Sequence, residues 1–117
     1  MKELQERAIE AAKRFVERRG MEIVDGDPEE IDNGFVARED DTMIFVEVSA
    51  SSSVERGLPS QKAGEDARRR RERQSAAWLA RFDAGDLRVR FDNIALLVLG
   101  EDKALLRHHI NAWGSCV

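Results

Sequence analysis

A chain of 117 residues has the length of one domain, which we assign to residues 1–117, and it can bury a core without disulfides. It contains no apolar run of the ~18–20 residues that a membrane span requires, and its charged first residues are unlike a secretory signal peptide. Cys116 is its single cysteine, so no disulfide can form within the chain. We therefore expect a reduced, cytoplasmic protein without a membrane partner. The net charge of −4 is unevenly spread, because residues 1–61 hold eight Lys/Arg against 15 Asp/Glu, whereas residues 62–90 hold nine against five.

The first half of the chain predicts one helix and three strands. Apolar residues recur every three to four positions from Lys2 to Arg19, which indicates an amphipathic helix that ends at Gly20. The stretch MEIVDG alternates as a short strand. NGFVARED and DTMIFVEVSA predict two further strands, and the polar turn Glu39–Asp41 joins them as a hairpin.

The second half predicts one helix and two strands. After a polar loop, a long helix is expected from Ser60 to Phe82, with a basic first half and an apolar second half. LRVRFDNIALLVLG predicts a strand that is buried on both faces from Ile94 to Leu99, and ALLRHHINAW predicts a final strand. A hairpin, a crossover helix and further strands favour a mixed five-stranded sheet flanked by helices, which is an α/β domain of three layers.

A carboxylate lies in the middle of DTMIFVEVSA, a strand whose pattern predicts burial. Side chains alternate along a strand, so Glu47 shares a face with Phe45 and Ser49. Burying a carboxylate is costly unless it is paired, hydrogen-bonded or bound to a metal. Glu47 is therefore either a functional residue or one half of an ion pair with an arginine from a neighbouring helix.

Several motifs around Glu47 resemble one known family. ARED and DTMIFVEV, from Ala37 to Val48, are similar to the strand hairpin of the YraN-like family of small bacterial proteins. AAKRFVERRGMEI, SAAWLA, VRFDNIALL and HHINAW resemble its other elements in the same order. The resemblance implies a restriction-endonuclease-like fold of the PD-(D/E)xK type. In that class an aspartate and the motif glutamate bind Mg²⁺, which activates a water molecule, and the motif lysine assists.

This chain departs from that pattern at several positions. Glu47 matches the motif glutamate, but Ser49 stands in the lysine position and Ile9 in the position of a helix glutamate. An ungapped count assigns the aspartate position to Gly34, whereas Asp32 takes it if a bulge at Asn33–Gly34 absorbs the insertion. Asp32 and Glu47 together could hold Mg²⁺ only weakly. The predicted catalytic set is Asp32, Glu47 and Ser49, with Asp32 and Glu47 as the metal ligands.

The favoured function is a degenerate nuclease domain that binds nucleic acid and has lost, or nearly lost, metal-dependent cleavage. A basic cluster on the second helix supplies the predicted contacts to phosphates: Arg68, Arg69, Arg70, Arg71 and Arg73. One alternative is a protein-interaction module that keeps only the scaffold. Another is an active Mg²⁺-dependent nuclease that uses Asp32, Glu47 and a repositioned basic group.

Three further residues have structural interpretations. His108 and His109 are adjacent, so on a strand they point to opposite faces and cannot bind one metal together. Both are predicted to be ordinary surface or edge histidines. Trp78 is predicted to lie in the core and not to stack on bases.

Overall fold

A single mixed sheet forms the middle of the molecule. The computed structural model describes residues 3–27, 30–59, 65–82 and 87–111. Its elements follow in this order: α1 (Leu4–Arg18), β1 (Glu22–Asp25), β2 (Gly34–Glu39), β3 (Thr42–Ser51), α2 (Glu65–Arg81), β4 (Arg88–Val98) and β5 (Ala104–His109). The five strands lie side by side in chain order, and the pairing of β3 with β4 is the parallel one. The predicted α/β class, element order and five-stranded mixed sheet are therefore confirmed.

Helix α1 forms because its small and apolar residues make one continuous stripe. Ala8, Ala12 and Val16 recur every four residues and are completely buried. The helix ends where Gly20 adopts a φ of 90°, and the backbone N–H of Met21 then bonds back to the carbonyl of Val16 at 3.0 Å. This C-terminal cap turns the chain directly into β1.

The sheet has one apolar core on each face. On the α1 side, Ala8, Ala12 and Val16 pack against residues that include Val46, Val48, Ile94 and Leu96. On the α2 side, a second cluster is made of these residues: Ile31, Val36, Met43, Phe45, Trp78 and Phe91. The order of layers is therefore α1, sheet, α2, which is consistent with the three-layer nuclease-like fold.

Trp78 anchors the C-terminal half of α2 to the sheet. Its side chain is 6% exposed and meets the ring of Phe45 edge-on, with centroids 5.7 Å apart. Its indole N–H donates to Asp25 at 2.7 Å, so the polar end of the ring is also satisfied. The prediction that Trp78 is a core residue is confirmed.

Some predicted boundaries differ from the observed ones. The predicted start of the second helix at Ser60 lies outside the described residues, and so do Trp113 and Cys116. Strand β5 ends at His109, and Asn111 in the following turn adopts a left-handed φ of 52°. Neither described helix is long and apolar enough to cross a membrane.

Candidate functional site

Glu47 lies in the middle of the sheet, on the face that α2 covers. It is paired with Gly34 of β2 on one side and with Asn93 of β4 on the other. Alternation along β3 directs Glu47 and Ser49 to the same face as Phe45, as the sequence predicts. Its side chain is 23% exposed. A carboxylate in this half-buried position needs a compensating partner.

That partner is Arg71, which α2 inserts between Glu47 and Asp32. The Nη2 atom of Arg71 lies 2.5 Å from Oε2 of Glu47. Its Nη1 atom donates to the backbone carbonyl of Asp32 at 2.8 Å and lies 3.6 Å from the Asp32 carboxylate. The Arg71 side chain is only 3% exposed. Glu47 is thus one half of an ion pair with an arginine from a neighbouring helix, one of the two interpretations that its sequence context left open.

Helical spacing explains why an arginine points inwards from α2. Arg71, Ser75 and Trp78 are the buried residues of this helix, and their i, i+4, i+7 spacing defines one stripe. Because Trp78 faces the core, a residue two turns earlier must also face the sheet. The sequence pattern assigned Arg71 to phosphate contacts together with its neighbours, and it did not identify Arg71 as the arginine that pairs with Glu47.

The prediction for the nucleic-acid contacts changes accordingly. Arg71 was predicted to contact phosphates, but it is buried against the sheet and is not accessible to a nucleic acid. Arg68 and Arg69 are exposed and pair with Glu72 and Glu65 one turn away, at 3.3 Å in each case. Arg70 and Arg73 are exposed and form no ion pair within the described ranges. For these four arginines, contact with phosphates stays a prediction.

Asp32 reaches the site from a turn and not from a strand. Strand β2 begins at Gly34, and Asn33 precedes it with a left-handed φ of 55°. The pairing of β2 with β3 runs without interruption from Gly34 to Glu39, and the backbone N–H of Val48 donates to the Asn33 carbonyl at 2.8 Å in the same register, so the predicted bulge at Asn33–Gly34 is wrong. The chain instead enters β2 through a left-handed backbone at Asn33, a conformation that asparagine tolerates.

Gly34 cannot be replaced by the aspartate that the ungapped count assigns to it. A Cβ atom at this position would overlap the backbone carbonyl oxygen of Val46 on the neighbouring strand. Backbone atoms in the middle of a sheet cannot rotate out of the way as a flexible side chain could. Asp32 is therefore the acidic side chain that this turn brings to Arg71.

We expect Gly34→Ala to lower the free energy of unfolding by about 2 kcal/mol, because the sheet must deform to admit one methyl group. Urea unfolding at pH 7 measures the change. Gly20→Ala is the control: a Cβ there meets nothing within 4 Å, so only its positive φ is penalised, at about 1 kcal/mol. A stable Gly34→Ala variant would contradict the close approach of β2 to β3.

Ser49 is held by a buried amide on the neighbouring strand. The Nδ2 atom of Asn93 donates to the Ser49 hydroxyl oxygen at 3.1 Å. Asn93 is only 3% exposed, and its Oδ1 atom has no hydrogen-bond partner among the described residues. Ser49 is therefore oriented by the sheet, but it brings no positive charge to Glu47.

The observed donor set does not fit the Mg²⁺ ion that the family resemblance implies. Mg²⁺ takes oxygen ligands in a near-octahedral arrangement and repels nearby cations. Here Arg71 contacts both Asp32 and Glu47, and a guanidinium cannot share them with a second cation at bonding distance. No group of three or more His, Cys, Asp or Glu side chains within residues 3–27, 30–59, 65–82 and 87–111 could hold a metal. Ile9, which stands in the position of the family's helix glutamate, packs against the core on the opposite face of the sheet.

A second buried carboxylate, Asp92, lies on the α1 side of the sheet and was missed by the sequence analysis. Its side chain is completely buried and accepts four hydrogen bonds. Two come from Arg90 at 2.9 and 3.0 Å, one from the Nε2 atom of His108 at 2.7 Å, and one from the backbone N–H of Asn111 at 2.9 Å. The signal was present, because Asp92 interrupts an apolar strand just as Glu47 does.

This cluster corrects the interpretation of His108. Its side chain is 7% exposed and lies edge-on to Phe15 of α1, with centroids 5.7 Å apart, so it is a core residue and not a surface one. Burial alone would raise the pKa of Asp92, but the hydrogen bonds from His108, Arg90 and Asn111 outweigh it and lower that pKa. The cluster fastens β5 to β4 and serves the fold.

Comparison with known proteins identifies relatives of this chain. The model of the family described as "Uncharacterised protein family UPF0102" matches residues 9–96. A UPF0102 protein of Beutenbergia cavernae is 36% identical over 101 residues, which cover 83% of this chain and 84% of that protein. A UPF0102 protein of Geobacter sulfurreducens is 33% identical over 78 residues, which cover 67% of this chain and 61% of that protein. The matched residues include Asp32 in its turn and the strands that carry Glu47 and Asp92.

Proposed function

Because the chain belongs to the uncharacterised protein family UPF0102, and its YraN-like resemblance is thereby confirmed, we propose a function from its own side chains: it is a nuclease-like domain that binds the phosphate backbone of nucleic acid without cutting it. One observation carries the proposal. The guanidinium of Arg71 bridges the two carboxylates that would otherwise bind a catalytic metal.

The loss of cleavage follows from the charges around Glu47. Phosphodiester hydrolysis needs positive charge positioned against the developing negative charge of the transition state. Arg71 is turned towards Glu47 and Asp32 and is buried, so it does not present its charge to a substrate. Ser49 is neutral. Removing a single positioned charge commonly costs ~10²–10³-fold in rate, and this site lacks both the lysine and a free pair of acids.

The binding half of the proposal rests on the outer surface of α2. Arg68, Arg69, Arg70 and Arg73 are exposed there. The pairs that Arg68 and Arg69 form with Glu72 and Glu65 are exposed i, i+4 pairs, which are weak enough for a phosphate to replace the glutamate. Release of counterions from the nucleic acid then supplies most of the affinity, without regard to sequence.

A salt titration tests the proposal. We expect labelled duplex and branched DNA to bind at micromolar protein, with an affinity that falls as KCl rises. The double variant Arg70→Gln, Arg73→Gln should lower the salt dependence by about two phosphate contacts, a slope change of ~1.8. The matched control is Arg14→Gln, Arg18→Gln, which removes two exposed arginines from α1 on the opposite side of the sheet.

Three outcomes would contradict this function. If no salt-dependent binding is observed at micromolar protein, nucleic acid is excluded as the ligand. Nicking that requires Mg²⁺ or Mn²⁺ and disappears in Glu47→Ala would identify an active nuclease instead. Recovery of a stable protein partner without nucleic acid would favour the interaction module.

A further inference from the structure

Polar residues from three strands lie in two neighbouring rows beside Glu47, on the half of the sheet nearest β5. Strand pairing aligns Glu47 with Asn93 and His109 in one row across β3, β4 and β5. The next row on the same face holds Ser49, Ala95 and Arg107. Neighbouring strands are ~4.8 Å apart. The backbones of Ser49 on β3 and Arg107 on β5 are therefore separated by twice that spacing. Ala95, a small residue that is 1% exposed, lies between them.

The hydrogen bond from Asn93 determines what Ser49 can offer. A serine hydroxyl has one hydrogen to donate and two lone pairs that accept. The Ser49 oxygen accepts from Nδ2 of Asn93, and the O–H makes no hydrogen bond to another described residue. Ser49 is half-buried. It is therefore a fixed donor, and Asn93 is the residue that positions it.

The charges around Ser49 favour an anion. Arg107 is exposed and forms no ion pair in the described part of the chain. Glu47 is the carboxylate of these two rows, and its charge is already paired with that of Arg71. Burial, together with the charges of Arg107 and His108, lowers the pKa of His109, so at neutral pH its ring is uncharged and offers one N–H donor.

We infer that Ser49, Arg107 and His109 form a phosphate-binding patch on the sheet, which we call the β5 patch. It provides one cation and two neutral donors on one face of the sheet, and the several acceptor oxygens of a phosphate group match such a set. The inference rests on the proposed function and deepens it, because it adds a contact on the sheet to the arginines of α2. The ligand is a backbone phosphate of nucleic acid.

The test compares single variants in the same salt titration with duplex DNA. We expect Arg107→Gln to lower the slope of log K against log[KCl] by about 0.9, the value for one phosphate. Ser49→Ala should weaken binding about fivefold without changing the slope, because it removes a neutral donor. The matched control is Arg88→Gln, which removes an exposed arginine from the opposite face of β4 and should leave both quantities unchanged.

The outcomes separate this inference from the proposed function. If DNA binds and depends on Arg70 and Arg73, but Arg107→Gln behaves like Arg88→Gln, the β5 patch is wrong and the proposed function stands. If DNA does not bind at all, the proposed function fails. Inorganic phosphate then tests the β5 patch by itself, by comparing the melting temperature in phosphate with that in chloride at equal ionic strength. A higher melting temperature in phosphate that is lost in Arg107→Gln would support an anion site at the patch. No increase in phosphate would overturn the patch.

Discussion

Glu47→Gln is expected to lower the free energy of unfolding by about 3 kcal/mol, since it leaves the buried guanidinium of Arg71 without its closest negative charge. The remaining carboxylate, Asp32, lies 3.6 Å from Nη1 and is itself 45% exposed, so it compensates only in part. Urea unfolding at pH 7 measures the loss. Glu22→Gln on the exposed side of β1 is the control and should change stability by less than ~0.5 kcal/mol.

A double-mutant cycle distinguishes a paired glutamate from a strained catalytic one. We expect Arg71→Met to remove the buried charge, so that adding Glu47→Gln to it costs much less than 3 kcal/mol, with a coupling of about 2 kcal/mol. Active sites that hold acids together for a metal show the opposite behaviour, because removing one acid relieves repulsion and stabilises the fold. A Glu47→Gln protein more stable than the parent would therefore contradict the role of Arg71.

Asp92→Asn is expected to cost about 3 kcal/mol at pH 7. The substitution removes the negative charge that four donors share and leaves Arg90 beside a neutral amide in a buried position. Asp102→Asn, in the exposed turn between β4 and β5, is the matched control and should have little effect. Equal stability of the two variants would show that the Asp92 cluster does not fasten β5.

The effect of Asp92 should depend on pH with a defined sign. Its pKa is lower in the folded protein than its ordinary value of 3.8, so the carboxylate contributes its full stability above that value. This contribution is lost as the pH falls through the folded pKa, where Asp92 takes up a proton. Unfolding curves at pH 7 and pH 3 should therefore show the parent and Asp92→Asn converging in acid, and a constant difference would refute the assignment.

The sequence predicts most of the architecture because periodicity is strong where burial is strong. The four-residue repeat of Ala8, Ala12 and Val16 defines α1, and the apolar run from Ile94 defines the interior of β4. The same alternation correctly directs Glu47 and Ser49 to one face. These conclusions need only the geometry of a single element.

The candidate site depends on contacts between elements, and those were harder to predict. Arg71 reaches Glu47 from 24 positions further along the chain, so the pair requires knowledge of how α2 lies on the sheet. The turn at Asn33 depends on one left-handed backbone angle, which asparagine tolerates but does not dictate. Asp92 was recoverable, because the rule that singled out Glu47 applies equally to it.

The bridge made by Arg71 also limits how such a domain could evolve towards catalysis. Changing Ser49 to lysine by itself would bring an ammonium group towards a carboxylate that already has a cation, so the newcomer would be repelled and would gain no partner. Removing Arg71 first would leave two acids uncompensated beneath the helix. Either change by itself leaves like charges uncompensated, so metal chemistry at this position would require both changes together.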